Sequence, residues 1–293
     1  MGHDGILTTI REAARRAGEA ALRVREQGHA SEVVGRGRGG DLALRGDIEA
    51  ERVAVDYLLS HADCAAVVSE EMGEKTVGGK GYGVRNRPSW TAVGTTSGGS
   101  PLFAVSIAAA VGRTLGDVVA GVIYAPAMGL EIYAARGSGA YVNGRLLDAR
   151  SGGDGEGLVF VGASPKASFL PYAYMLSLSA RGFIVRSLGS ASLELASVAT
   201  GGADAYVEAW GTMRVVDIAA AYLVVREAGA WVCAEGFLGN PPLLSLSERL
   251  AIVAARTERL GKELLELLAE ELGLAMGSIF EVVSPGARTQ GSR

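Results

Sequence analysis

The amino-acid sequence predicts an α/β fold, and three observations carry that expectation. Beyond residue 157, apolar runs alternate with helical stretches: LVFVGAS, a helix near 167–180, IVRSLG, a helix from Ser190 to about Thr200, then DAYVEA. A helix from Val216 to Ala228, the run LAIVAAR and a last helix in ERLGKELLELLAEEL complete the alternation. Ahead of it, LFAVSIAAAVG, DVVAGVIYAP and GLEIYAARGSGAYVNG are strand-like runs divided by turn residues, as in an antiparallel meander. Finally, 293 residues with 48% hydrophobic content suffice to bury a sizeable core. Together these point to two α/β layers in one folding unit over 1–273. It has an N-terminal half (1–150), a C-terminal half (151–273) and a polar tail over 274–293.

The N-terminal elements follow from spacing and caps. Ile6, Ile10, Ala13, Ala17, Ala21 and Val24 recur at helical intervals, with Asp4 placed to cap the start. VVGRGRGGDLALRGD, rich in glycine and arginine, reads as a mobile surface loop. DIEAERVAVDYLLSH puts Ile48, Val55, Leu58 and Leu59 on one helical face, with Asp47 at its opening. CAAVVS is a short buried strand that runs directly into Glu70 and Glu71.

Composition narrows the chemistry. A net charge of −4 with no basic block disfavours nucleic acid or an anionic membrane as partner. No stretch at the start resembles a signal or spanning segment. The three histidines, His3, His29 and His61, lie in the first quarter of the chain and offer little for a His-based triad or zinc site. Cys64 and Cys233 are isolated, which suits buried thiols in a reducing cytoplasm. Carboxylates and hydroxyls remain.

Three of those carboxylates stand where α/β folds build sites: Asp47 at a helix start, Glu70 at a strand end and Asp217 near another helix start. Such oxygens suit Mg²⁺, a hard cation that keeps waters and binds substrate phosphate. The plainer reading makes Asp47 a helix cap, Glu71 a surface residue and Asp217 a first-turn charge answering the helix dipole.

GSASLELASVATGGADAYVEA followed by RVVDIAAAYLVVREAGA resembles the C-terminal signature of the inositol monophosphatase and fructose-1,6-bisphosphatase superfamily. The RVVD form, with arginine and no tryptophan before the aspartate, is most similar to archaeal members. ALRGDIEAERV, VVSEEMG, PLFAVSIA and GSGAYVNGRLL match in order, so the resemblance covers nearly the whole chain. It implies a layered α/β/α/β/α fold, commonly a homodimer, that hydrolyses a sugar or inositol phosphate with Mg²⁺. By the same resemblance Glu70 and Asp217 would be metal ligands, and Asp47 would orient and deprotonate the attacking water. Glu208 would face substrate hydroxyls, with the Gly189 and Ser190 backbone near the ring.

The family's motif Asp-Pro-(Ile/Leu)-Asp-Gly-Thr belongs just before PLFAVSIA, where this chain reads NRPSWTAVGTTSGGSP. Gly94 and Thr95 overlay its Gly-Thr, which would cradle phosphate and hold the nucleophilic water. Val93 and Trp90 then stand in place of the two aspartates, and no carboxylate occurs between Glu74 and Asp117. Hydroxyls replace formal negative charge poorly for a hard cation, so the expectation is an impaired phosphomonoesterase. The alternative is a non-catalytic sugar-phosphate binder or dimer partner. Read two bases out of frame, codons permitted by Trp90 to Pro101 can spell Asp-Gly-Ser-Gly-Asn-Tyr-Val-Arg-Gly-Ile-Pro, close to the family's string. This makes about 77–100 a candidate frameshifted stretch. Eight of the 42 glycines crowd Gly73 to Gly99, which reads as a long, poorly packed loop.

Overall fold

Two sheets carry the architecture. The computed structural model describes residues 3–38, 42–62, 66–76, 90–96, 102–151, 157–236 and 240–272. The N-terminal half contains α1 (His3–Glu26), β1 (Val33–Arg36), β2 (Leu42–Leu44), α2 (Arg45–His61), β3 (Ala66–Ser69), β4 (Gly73–Thr76) and β5 (Trp90–Thr96). The meander follows as β6 (Ala104–Ala110), β7 (Val118–Ala125), β8 (Leu130–Ala135), β9 (Gly139–Val142) and β10 (Arg145–Leu146). The C-terminal half opens with β11 (Leu158–Val161), α3 (Leu170–Ala180), β12 (Ile184–Arg186), α4 (Ala191–Thr200) and β13 (Ala205–Arg214). It closes with α5 (Val215–Glu227), β14 (Trp231–Gly236), β15 (Arg249–Ala255) and α6 (Glu258–Leu272). The first sheet has eight strands in the order β10-β9-β8-β7-β6-β5-β3-β4, the second five in the order β12-β11-β13-β15-β14.

Side-chain alternation along the strands separates three apolar clusters and so sets the layers. Val67, Val105, Ile107 and Val122 face α1 and α2 on the outside of the first sheet. Val68, Ala108, Ile123 and Ile132 face inward, against α4 and α5 and against Ile252 and Ala254 of the second sheet. Val159, Val161, Val207 and Val253 pack outward under α3 and α6. The order is therefore helices, sheet, helices, sheet, helices, the expected α/β/α/β/α arrangement. The central helix pair lies close: a Cβ on Gly121 of β7 would fall 2.9 Å from Ala220 Cα of α5.

Three sequence readings need correction. The segment read as a mobile loop contains an antiparallel hairpin, with Val33 opposite Leu44 and Arg36 opposite Leu42. β-branched and leucine residues flanking the glycines supply strand propensity that the glycine count concealed. The expected unstructured run from Gly73 to Gly99 contains β4 and β5, antiparallel and parallel partners of β3. Pairing of β4 with β3, and of β5 with both β3 and β6, outweighs the glycine content there, and 77–89 and 97–100 lie outside the described residues. Helix α1 begins at His3, which places Asp4 within the helix instead of at its cap. The tail over 274–293 and Cys64 also lie outside the described residues.

Candidate active site

Three helices begin at one place between the sheets. The first turn of α2 presents Asp47, the start of α4 presents Gly189 and Ala191, and the first turn of α5 presents Asp217. These residues line one cavity of about 360 Å³ together with Glu70, which follows the last residue of β3. Convergent helix N-termini turn unsatisfied amides and positive dipole ends toward the same space.

The floor comes from β11 and β13. Gly162 follows β11, and a Cβ there would sit 2.7 Å from the Tyr206 hydroxyl and 2.9 Å from Glu208 Cγ, so only glycine leaves the space open. β13 carries an irregularity between Glu208 and Met213, where Gly211 adopts a positive φ of 65°. That bulge turns the chain back: the Thr212 amide and hydroxyl donate to Glu208 Oε1 at 3.2 and 2.5 Å. Glu208 Oε2 is buried and has no hydrogen-bond partner among the described residues. Burial pushes the Glu208 carboxyl up to about 7 against the opposing Thr212 bonds. The Tyr206 phenol, fully buried beside Glu194, Glu208 and Asp217, is raised well above its ordinary value, chiefly by burial.

Arg214 ends β13 immediately before α5. Its Nε donates to Asp217 Oδ2 at 3.1 Å, and its Nη2 lies 2.5 Å from Glu70 Oε1. The guanidinium therefore bridges the two carboxylates that the sequence singled out as metal ligands. Burial and the neighbouring Asp217 push the Glu70 carboxyl upward, and Arg214 opposes them. Beneath Glu70, buried Glu51 of α2 accepts hydrogen bonds from the Ser69 hydroxyl and, at 2.8 Å, from the Glu71 amide. These bonds hold the turn that aims Glu70. On the far wall Glu194 accepts from the Leu188 amide at 2.5 Å and fixes the approach to Gly189.

Asp47, Glu70, Gly189, Glu208 and Asp217 thus share one cavity. Ser190 is buried as the N-cap of α4 and is not on the cavity wall, because the chain turns inward to start the helix. Gly94 and Thr95 lie within β5, where Ser69 pairs with Val93, so Gly94 stands level with Glu70. The side chains of this strand lie outside the described residues. Sequence reasoning passed over Arg214, Thr212, Glu194, Glu51 and Lys166. Arg214 in RVVD, Glu51 in ALRGDIEAERV and Glu194 in GSASLELASVATGG stood only inside segments that marked the family, and Thr212 and Lys166 had no signal.

The donor set does not fit Mg²⁺ as it stands. A hard divalent cation seeks about six oxygens with formal negative charge, and here the guanidinium engages both Glu70 and Asp217. Among the described residues no group of three or more His, Cys, Asp or Glu side chains is arranged to hold a metal ion.

Fold and site define a layered α/β protein with an acidic cavity at converging helix starts. The chain belongs to the inositol monophosphatase family, whose sequence profile it matches over residues 3–273. It is 32% identical over 243 residues to a fructose-1,6-bisphosphatase/inositol-1-monophosphatase of Thermococcus kodakarensis, covering 83% of this chain and 89% of that protein. It is 30% identical over 281 residues to the Nus factor SuhB of Salmonella typhimurium, covering 92% and 98%. An inositol-1-monophosphatase of Mesorhizobium japonicum is 42% identical over 144 residues, 46% of this chain and half of that protein's length (50%). Among solved structures, the extragenic suppressor protein SuhB of Bartonella henselae superposes with a TM-score of 0.71 at 27% identity, covering 90% of this chain and 98% of that one.

Proposed function

We propose that this chain binds a sugar or inositol phosphate in the cavity between its sheets, and that its Mg²⁺-dependent phosphomonoesterase activity is impaired. The observation that supports binding is the opening of α2, α4 and α5 onto one space, where helix-start amides and the cations Lys166 and Arg214 would draw a phosphate against the repulsion of the cavity carboxylates. Glu208 and the Gly189 backbone would take the polyol hydroxyls, with Gly94 and Thr95 nearest the phosphate. Asp47 is the residue placed to orient and deprotonate a water. The impairment follows from Glu70 and Asp217 being engaged by Arg214, with no further carboxylate from residue 75 to 116 to supplement them.

Phosphate release from inositol 1-phosphate and fructose 1,6-bisphosphate at millimolar Mg²⁺ tests this reading. The expected rate is near the blank, while either ester raises the unfolding temperature. Robust turnover that Glu70→Gln abolishes would overturn the impairment. No thermal shift with either ester would overturn the binding. Homodimer formation and a cytoplasmic setting belong to the same reading, and sedimentation tests the first. No helix among the described residues is long and apolar enough to cross a membrane. A chain redesigned to carry Asp-Gly-Ser-Gly-Asn at 91–95 should gain activity if the segment is a frameshifted remnant.

A further inference from the structure

We propose that Arg214 is a built-in competitor for the cation position: its guanidinium takes the place between Glu70 and Asp217 and must leave before a divalent ion can join them. The inference rests on the functional reading above only for where that position lies. Its measurement is cation binding, with no phosphate ester present.

Two fixed elements set the contact. Arg214 is the residue before α5 and Asp217 lies in the first turn of that helix, so backbone geometry holds this pair three residues apart. Glu70 arrives from β3 in the other sheet, held by the turn that Glu51 braces. The three side chains are largely withdrawn from water, at 12% exposure for Arg214, 11% for Glu70 and 21% for Asp217. Ion pairs withdrawn in this way are screened less than surface pairs.

The shape of the group matters as much as its charge. A planar guanidinium carries Nε and Nη2 as separate donors in a rigid fork, and here each engages its own carboxylate. A lysine ammonium on a flexible stem is a compact point charge and lacks that fork. An approaching divalent ion would meet both a like charge and carboxylate oxygens already in use. Removing the guanidinium leaves the Glu70 and Asp217 carboxylates repelling one another in a space largely withdrawn from water, a situation that a divalent cation relieves.

Mn²⁺ binding to the full chain, read by electron paramagnetic resonance, tests the assignment in wild type, Arg214→Met, Arg214→Lys and the double variant Arg214→Met/Glu70→Gln. The methionine variant should bind Mn²⁺ about tenfold more tightly than wild type, or better. The lysine variant should fall between them, and the double variant should lose the gain. Mn²⁺ should also raise the unfolding temperature of Arg214→Met more than that of wild type, since a ligand bound only by the folded state stabilises it. Equal or weaker Mn²⁺ affinity in a folded methionine variant would overturn the proposal, as would a gain that survives Glu70→Gln. Should Arg214→Met not fold with Mn²⁺ present, Arg214→Lys decides: affinity no higher than wild type overturns the proposal.

Discussion

Glu208→Gln should stabilise the protein increasingly as pH rises, because the buried carboxyl holds its proton longer in the folded state than in the unfolded one. Its folded value of about 7 lies above the ordinary 4.5. Between those values the folded chain binds a proton that the unfolded chain has released, so stability falls as pH increases. The contribution is complete below about 4.5 and is lost as pH passes through 7. At roughly 1.36 kcal/mol per pH unit, the gap corresponds to about 3 kcal/mol. Glutamine keeps an oxygen to accept the two Thr212 bonds and carries no charge, so it imitates the protonated acid. Urea unfolding of both proteins from pH 4.5 to 8.5 measures the effect as a difference, in which the other buried carboxyls cancel. The variant should match wild type at the acid end and exceed it by about 3 kcal/mol at the alkaline end. A flat difference curve, or one sloping the other way, would refute the argument that burial outweighs the Thr212 bonds.

Other consequences are local. Asp204→Ala should cost about 3–5 kcal/mol in urea unfolding, because Arg256 would be left buried without the carboxylate 3.1 Å from its Nη1; a loss below about 1 kcal/mol would contradict the importance of this pair. Gly121→Ala should destabilise by about 1–3 kcal/mol, since the new methyl meets the Ala220 backbone and neither sheet nor helix can retreat cheaply; an unchanged melting temperature would show that the two layers separate easily. Glu194→Ala should speed amide exchange at Leu188 about tenfold, and Glu194→Gln should restore much of the protection; equal exchange in all three proteins would remove Glu194 as the brace of that turn.

Much of the layering was legible because strand alternation and helical spacing are strong local signals. Which face each strand residue takes was not, since AVV and LAIVAA are apolar throughout: Val67 parts from Val68, and Val253 from Ile252 and Ala254, only in the structure. The edge hairpin was not legible, because none of the β1 residues is buried and its glycines outweighed Val33 and Val34. β4 and β5 were hidden for a related reason: WTAVGTT gains its order from pairing with β3 and β6, which no local pattern reports. At the site, Asp47, Glu70, Glu208 and Asp217 stood out by chemical type and by position at or near element ends. Arg214 did not, because its meaning depends on Glu70, which lies 144 residues earlier in the chain and meets it only across two sheets.

The charge of the cavity links its missing and its present groups. Asp47, Glu70, Glu194, Glu208 and Asp217 share a small space with Arg214 and Lys166. Burial raises Glu70, Glu194 and Glu208 alike, and at Glu70 the neighbouring Asp217, Glu51 and Glu71 carboxylates add to it. A single guanidinium between Glu70 and Asp217 answers part of that charge. Release of Arg214 by Arg214→Met and return of the Asp-Gly-Ser-Gly-Asn string at 91–95 are each expected to strengthen Mn²⁺ binding, and titration of each variant separately and of the two combined would show whether their effects add or reinforce one another.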